Sequence, residues 1–145
     1  MFRYGFLLIG LLSSCFSMAQ TETSKVFGDY EVHYSVLNST FISPKVAQVY
    51  GIVRGKDRAL INIAVRKRLA RGETSAKKSI VRGSSSDLIH KAPLDFQEIV
   101  EQGAIYYIAE LRFNNKELRT FTISIQPDAN IAPYTLKFNK TLYFN

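Results

Sequence analysis

The chain has 145 residues, a formal net charge of +7 and a pI of about 9.6, with 46% of its residues hydrophobic. That apolar fraction is ordinary for a folded domain and excludes an intrinsically disordered chain. One cysteine and two histidines exclude a disulfide-stapled scaffold and leave little material for a metal centre built on thiolate or imidazole donors.

The first element is a leader. Arg3 precedes the apolar residues 6–12, and Ser17-Met18-Ala19 offers small side chains where a signal peptidase reads them. The pattern predicts a signal peptide over residues 1–19 and an exported, periplasmic domain over residues 20–145. The apolar run is too short to cross a bilayer, so no transmembrane helix is expected in the mature chain. Leu12-Ser13-Ser14-Cys15 resembles a lipobox, and lipid anchoring through Cys15 is the alternative form. Cys15 is the single cysteine, so the mature domain has no thiol and its stability must come from packing.

Beyond the leader most segments alternate apolar and polar residues with period two, the signature of strands with one buried face. Tyr30, Val32, Tyr34 and Val36 share a face, and Glu31, His33 and Ser35 take the other. Ser43 can cap a short helix near residues 43–50, with Pro44 at its first turn and Gly51 at its end. Its residues Val46, Val49 and Tyr50 would cover the core at one open end. Gly55-Lys56-Asp57 reads as a turn before a strand carrying Ile61, Ile63 and Val65. Residues 69–79 show little hydrophobic pattern, Ile80-Val81 suggests a short strand, and Gly83-Ser84-Ser85-Ser86 reads as a flexible loop. Four strands follow, about 94–101, 104–112, 118–126 and 133–144, expected as consecutive antiparallel neighbours. The second is apolar on both faces, as a central strand is. Together these predict an all-β domain: a single antiparallel β-sandwich, immunoglobulin-like, of about seven strands plus one short helix. A closed barrel is the alternative.

Charge is segregated. Between residues 54 and 91 there are eleven Lys or Arg against three acids, while the remainder of 20–145 has seven against nine. In an exported protein such a basic segment points away from nucleic acid and towards an envelope protein or an anionic envelope component, lipid phosphate or lipopolysaccharide. The anion-binding candidates are Arg54, Lys56 and Arg58 around the Gly55 turn, with Arg66 and Arg68 further along the strand.

Catalytic chemistry finds no foothold. His33 and His90 are far apart in sequence and lack partners at metal-ligand spacing, so neither a metal nor another cofactor is expected. Ser84, Ser85 and Ser86 lack the strand-turn-helix context of a nucleophile elbow. Asp95, Glu98 and Glu101 alternate with Phe96 and Ile99 as on an exposed edge strand. The expectation is a non-enzymatic binding or interaction module, with a motif-less envelope hydrolase as the alternative.

Four stretches then carry a likeness: Phe27-Gly28-Asp29-Tyr30-Glu31-Val32-His33-Tyr34, Tyr50-Gly51-Ile52-Val53-Arg54 within 41–58, Ala104-Ile105-Tyr106-Tyr107-Ile108-Ala109-Glu110, and Tyr134-Thr135-Leu136-Lys137-Phe138. In order and spacing the chain resembles a family of small exported proteins of Gram-negative bacteria known as a domain of unknown function. The resemblance implies a periplasmic setting and one all-β domain, and it brings no activity or site residue.

Overall fold

A computed structural model describes residues 23–145. The leader, its cleavage site and Cys15 lie outside the described residues. The strands are β1 (Thr23–Phe27), β2 (Tyr30–Asn38), β3 (Arg58–Arg68), β4 (Thr74–Ala76), β5 (Ile80–Ser86), β6 (Lys91–Leu94), β7 (Gln97–Glu101), β8 (Ala104–Arg112), β9 (Glu117–Gln126) and β10 (Tyr134–Leu142), with one helix, α1 (Pro44–Tyr50). They form two antiparallel sheets, ordered β1-β2-β3-β8-β7 and β10-β9-β5-β6, and β4 pairs with the end of β3.

The order β2-β3-β8-β7 is the A-B-E-D sheet of an immunoglobulin domain, and β10-β9-β5-β6 is its G-F-C sheet extended by C′. The sandwich is therefore immunoglobulin-like, with β1 added at one edge, and the sheets do not close into a barrel. Two details of the expected topology change. The segment expected as one strand over 94–101 divides: β6 pairs with β5, whereas β7 pairs with β8 in the other sheet. The consecutive strands β8 and β9 are not neighbours either, because the chain crosses between sheets at residues 113–116.

The period-two pattern places the core. Val32, Ile61, Ile63, Val65, Tyr107, Ala109 and Leu111 of one sheet meet Phe121, Ile123, Ile125 and Leu136 of the other. Aromatic pairs close the flank between β2 and β10: Tyr34 and Phe138 have ring centroids 4.5 Å apart, and Phe138 stacks on Phe121 at 5.0 Å. Such pairs add about 0.5–1.5 kcal/mol each beyond their buried area.

Gly83-Ser84-Ser85-Ser86 is no loop. It forms most of β5, a central strand hydrogen-bonded to both β9 and β6. A glycine-serine run looks mobile because it lacks apolar bulk, but small side chains are what this position needs. A Cβ on Gly83 would lie 2.6 Å from Ile123 Cδ1 and 2.8 Å from the Thr122 carbonyl oxygen. Ser85 is buried and accepts a hydrogen bond from Arg119 Nη1 at 3.0 Å.

The helix forms where its caps predict. Ser43 Oγ accepts a hydrogen bond from the Val46 amide at 3.3 Å, Pro44 occupies the first turn, and Gly51 ends the helix at φ 69°. Its buried face differs from the expected one. Ala47 is buried, while Val46 and Val49 are 43% and 69% exposed. The segment leaving the helix runs over the outer face of the β3-β8 sheet. There the Val53 amide donates to Glu110 Oε1, an outward-facing group on β8 opposite Leu60.

Candidate functional site

Strand register gathers the basic residues. Since β3 and β8 are antiparallel, Arg58 faces Arg112, and residues 113–116 then carry the chain across to the start of β9. The turn before β3, the end of β8 and the start of β9 thus share one end of the sandwich. The end of β5 joins them, because Ser86 pairs with Thr120.

The Gly55 turn is held from below. Ser39, fully buried, donates through Oγ to the Gly55 carbonyl at 3.0 Å and accepts from the Gly55 amide at 2.9 Å. The turn closes with the Arg58 amide donating to the Gly55 carbonyl at 3.1 Å. On this frame Arg54 Nη2 donates to the Thr40 carbonyl at 3.1 Å, and Lys56 Nζ lies 5.5 Å from the centroid of the Phe144 ring. Phe144 in turn meets Phe113 edge-on at 5.6 Å. Asn38 Nδ2 donates to the Tyr143 carbonyl at 2.7 Å, which ties the chain's last residues to the same end.

The carboxylates here are engaged. Asp57 Oδ2 accepts from Arg112 Nη2 at 3.0 Å, and that bond holds the Asp57 carboxyl below its ordinary value of 3.8. Glu117 Oε2 accepts from the Asn114 amide at 2.6 Å. Its Oε1 lies 3.1 Å from Arg119 Nε, a charge contact at that distance although the N–H is not aimed along it. Arg119 also donates to the Arg112 carbonyl at 2.9 Å, so the partly buried Glu117–Arg119 pair braces the strand end that carries Arg112.

Between β5 and β6 the chain turns through Asp87-Leu88-Ile89-His90. Asp87 Oδ1 accepts from the Ile89 and His90 amides at 2.7 and 2.6 Å, and the Asp87 amide donates to the His90 carbonyl at 3.0 Å. The His90 and Ile89 amides, in that order of effect, depress the Asp87 carboxyl below its ordinary value of 3.8. This ordered tip presents Leu88 and Ile89 at 97% and 84% exposure.

Of the five sequence candidates, Arg54, Lys56 and Arg58 lie together and Arg66 and Arg68 do not join them. Arg66 is roughly 26 Å along β3 from Arg58, at about 3.3 Å per residue. There it donates from Nε and Nη2 to Thr74, both at 2.9 Å, and secures β4. Arg68 lines a recess of about 460 Å³ with Asp29, Glu31 and Glu73, a mixed rather than a basic surface. Sequence reasoning missed Arg112, whose place appears only when strand register is known, and the Leu88-Ile89 tip, whose signal was an apolar pair between Asp87 and His90.

Of the residues weighed for catalysis, Ser84, Ser85 and Ser86 share the β5-β6 hairpin with His90, and the two histidines stay apart. His33 stands on the outward side of β2, 3.3 Å from Glu31, whereas His90 lies at the tip on the other sheet. Asp95 and Glu110 line one recess, but its volume is about 140 Å³, below the roughly 300 Å³ of small-molecule sites. Among the described residues no three His, Cys, Asp or Glu side chains gather as a metal site would require.

Several solved structures share the fold. FetP of uropathogenic Escherichia coli strain F11, expressed in the periplasm of E. coli, superposes with a TM-score of 0.59 at 11% identity, covering 86% of this chain and 95% of its own. A copper-bound variant of FetP gives 0.58 at 11% identity, covering 86% and 96%. At that identity the likeness is one of fold. No curated protein matches the chain. A DUF4426 family protein from Pseudomonas aeruginosa PAO1 is 34% identical, with a TM-score of 0.74 over 88% of this chain and 98% of its own. The model of that family, a domain of unknown function, matches residues 24–145, and the chain accordingly belongs to the DUF4426 family.

Proposed function

We propose that the protein is a non-enzymatic binding module of the bacterial cell envelope, exported to the periplasm, whose basic end recognises an anionic envelope component. The observation that supports this reading is the convergence of Arg54, Lys56 and Arg58 around a turn pinned by Ser39, while Arg112 opposite Arg58 occupies Asp57, and Asn114 and Arg119 occupy Glu117. Cations fixed on a rigid frame lose little freedom on binding, and neighbouring acids already neutralised do not repel an anion. The copper named for the FetP variant supplies no ligand set to carry across, since the described residues hold no cluster of metal donors.

The test is a double charge reversal, Arg54→Glu with Arg58→Glu. These side chains sit at the surface, so thermal stability should change by less than about 1 kcal/mol. Binding of the wild type to lipopolysaccharide and to polyphosphate should weaken as salt rises towards physiological strength, where screening limits the reach of exposed charge to about 8 Å. The reversed variant should bind either probe at least about tenfold less tightly at low salt, a loss of about 1.4 kcal/mol. A wild type that binds neither probe, or a variant that binds as well as the wild type, would overturn the reading.

A further inference from the structure

We infer that the anionic partner of the basic end is the headgroup surface of a lipid bilayer, and that the Leu88-Ile89 tip enters its apolar layer. This rests on the reading above and names the class of surface.

Leu88 and Ile89 are more exposed than any other large hydrophobic residue among the described ones. Folding such adjacent aliphatic residues back onto the domain would recover the free energy of burying them. Here the fold prevents it. Asp87 takes both following amides and the His90 carbonyl closes the turn, so the tip is an ordered projection.

The register of β5 on β9 sets that projection at the same end of the sandwich as Arg54, Lys56, Arg58 and Arg112. Lys91 follows the tip directly, Lys116 lies in the crossing at residues 113–116, and both are exposed. Further apolar surface surrounds them: Leu118, Tyr143 and Phe144 are 50%, 56% and 36% exposed. An aliphatic projection with cations and aromatic groups behind it is complementary to an anionic bilayer, where hydrocarbon lies beneath a layer of phosphates. An extended soluble polyanion would satisfy the cations and leave the tip in water. The carboxylates facing this surface are spoken for. Asp57 pairs with Arg112, Glu117 with Arg119, and Asp87 holds the tip's amides with Oδ2 3.7 Å from His90 Nδ1. Glu110, on the flank, takes the Val53 amide.

The experiment is co-sedimentation of the protein with vesicles of phosphatidylethanolamine and phosphatidylglycerol, with phosphatidylcholine vesicles and polyphosphate as parallel arms. The variants are Leu88→Ser with Ile89→Ser at the tip and Arg54→Glu with Arg58→Glu behind it. The wild type should bind the anionic vesicles at least about tenfold better than phosphatidylcholine. The tip variant should lose about tenfold or more on anionic vesicles yet keep its polyphosphate binding, and the charge variant should lose both. The chain contains no tryptophan, so Leu88→Trp adds a single reporter whose emission should shift to the blue on anionic vesicles. A tip variant that binds vesicles like the wild type, or a Leu88→Trp emission that does not move, overturns the insertion. A wild type that binds polyphosphate but not anionic vesicles overturns the bilayer assignment and leaves the basic-end reading standing. Binding to neither overturns both.

Discussion

Ser39 is the residue on which the candidate site most depends, and it is itself fully buried. Its hydroxyl serves both backbone groups of Gly55, so Ser39→Ala leaves the partly buried Gly55 amide without its acceptor, while the Gly55 carbonyl keeps the Arg58 amide. An unsatisfied buried polar group costs about 1–3 kcal/mol. Thermal or urea unfolding of the variant should show a loss in that range. Amide exchange at Gly55 and Arg58 should quicken by more than the global loss explains, because the turn loses its anchor locally. In sequence Ser39 is one polar residue at a strand end, with no neighbour that marks its role. Arg58 and Lys56 were legible as site candidates because their charge is written in the chain. Ser39 was not, because its role is set by a residue sixteen positions away.

At the scale of elements, α1 shows what local chemistry reads well and what it does not. Its limits follow from Ser43, Pro44 and Gly51, which act within one turn of the chain. Its buried face depends on how the helix is placed against the rest of the domain, and there Ala47 rather than Val49 is enclosed. Ala47→Asp should therefore destabilise the protein by several kcal/mol, because it buries an unpaired charge. Val49→Asp should change stability by less than about 0.5 kcal/mol, as a surface replacement does. Equal unfolding midpoints for the two would show that the helix does not pack as described. Strand β5 is the converse case. Glycine and serine carry no strand pattern, yet ladders from β9 and β6 on both sides and the tight approach to Ile123 and Thr122 hold them extended.

For the whole molecule, one hydroxyl joins the edge of one sheet to the chain entering the other. The Tyr107 hydroxyl, from β8, accepts from the Ser79 amide at 2.8 Å just before β5 and donates to Glu98 Oε2 on β7 at 3.1 Å. Burial raises its ionisation above the ordinary 10.0, and Glu98 adds to the rise. The folded state therefore holds this proton more firmly than the unfolded chain does. Its contribution to stability is complete below pH 10 and is lost as pH rises through the folded value. Tyr107→Phe should lower stability by about 1 kcal/mol at neutral pH. It should also flatten the decline of the unfolding midpoint above pH 10, and an unchanged alkaline decline would contradict the assignment.

The chain alone determined what depends on neighbours in sequence or on composition. Period-two alternation sorted inner from outer residues in β2, β3, β9 and β10, because a strand must turn alternate side chains to opposite faces wherever it sits. Helix caps, the Gly55 turn and the basic middle third were legible for the same reason. Tertiary structure decided what depends on register between distant strands. It separated Arg66 and Arg68 from the Gly55 turn, brought Arg112 opposite Arg58, assigned β6 and β7 to different sheets, and set the Leu88-Ile89 tip beside the cations. Pairing partners are chosen by burial of the whole core at once, and no short stretch of sequence contains that sum.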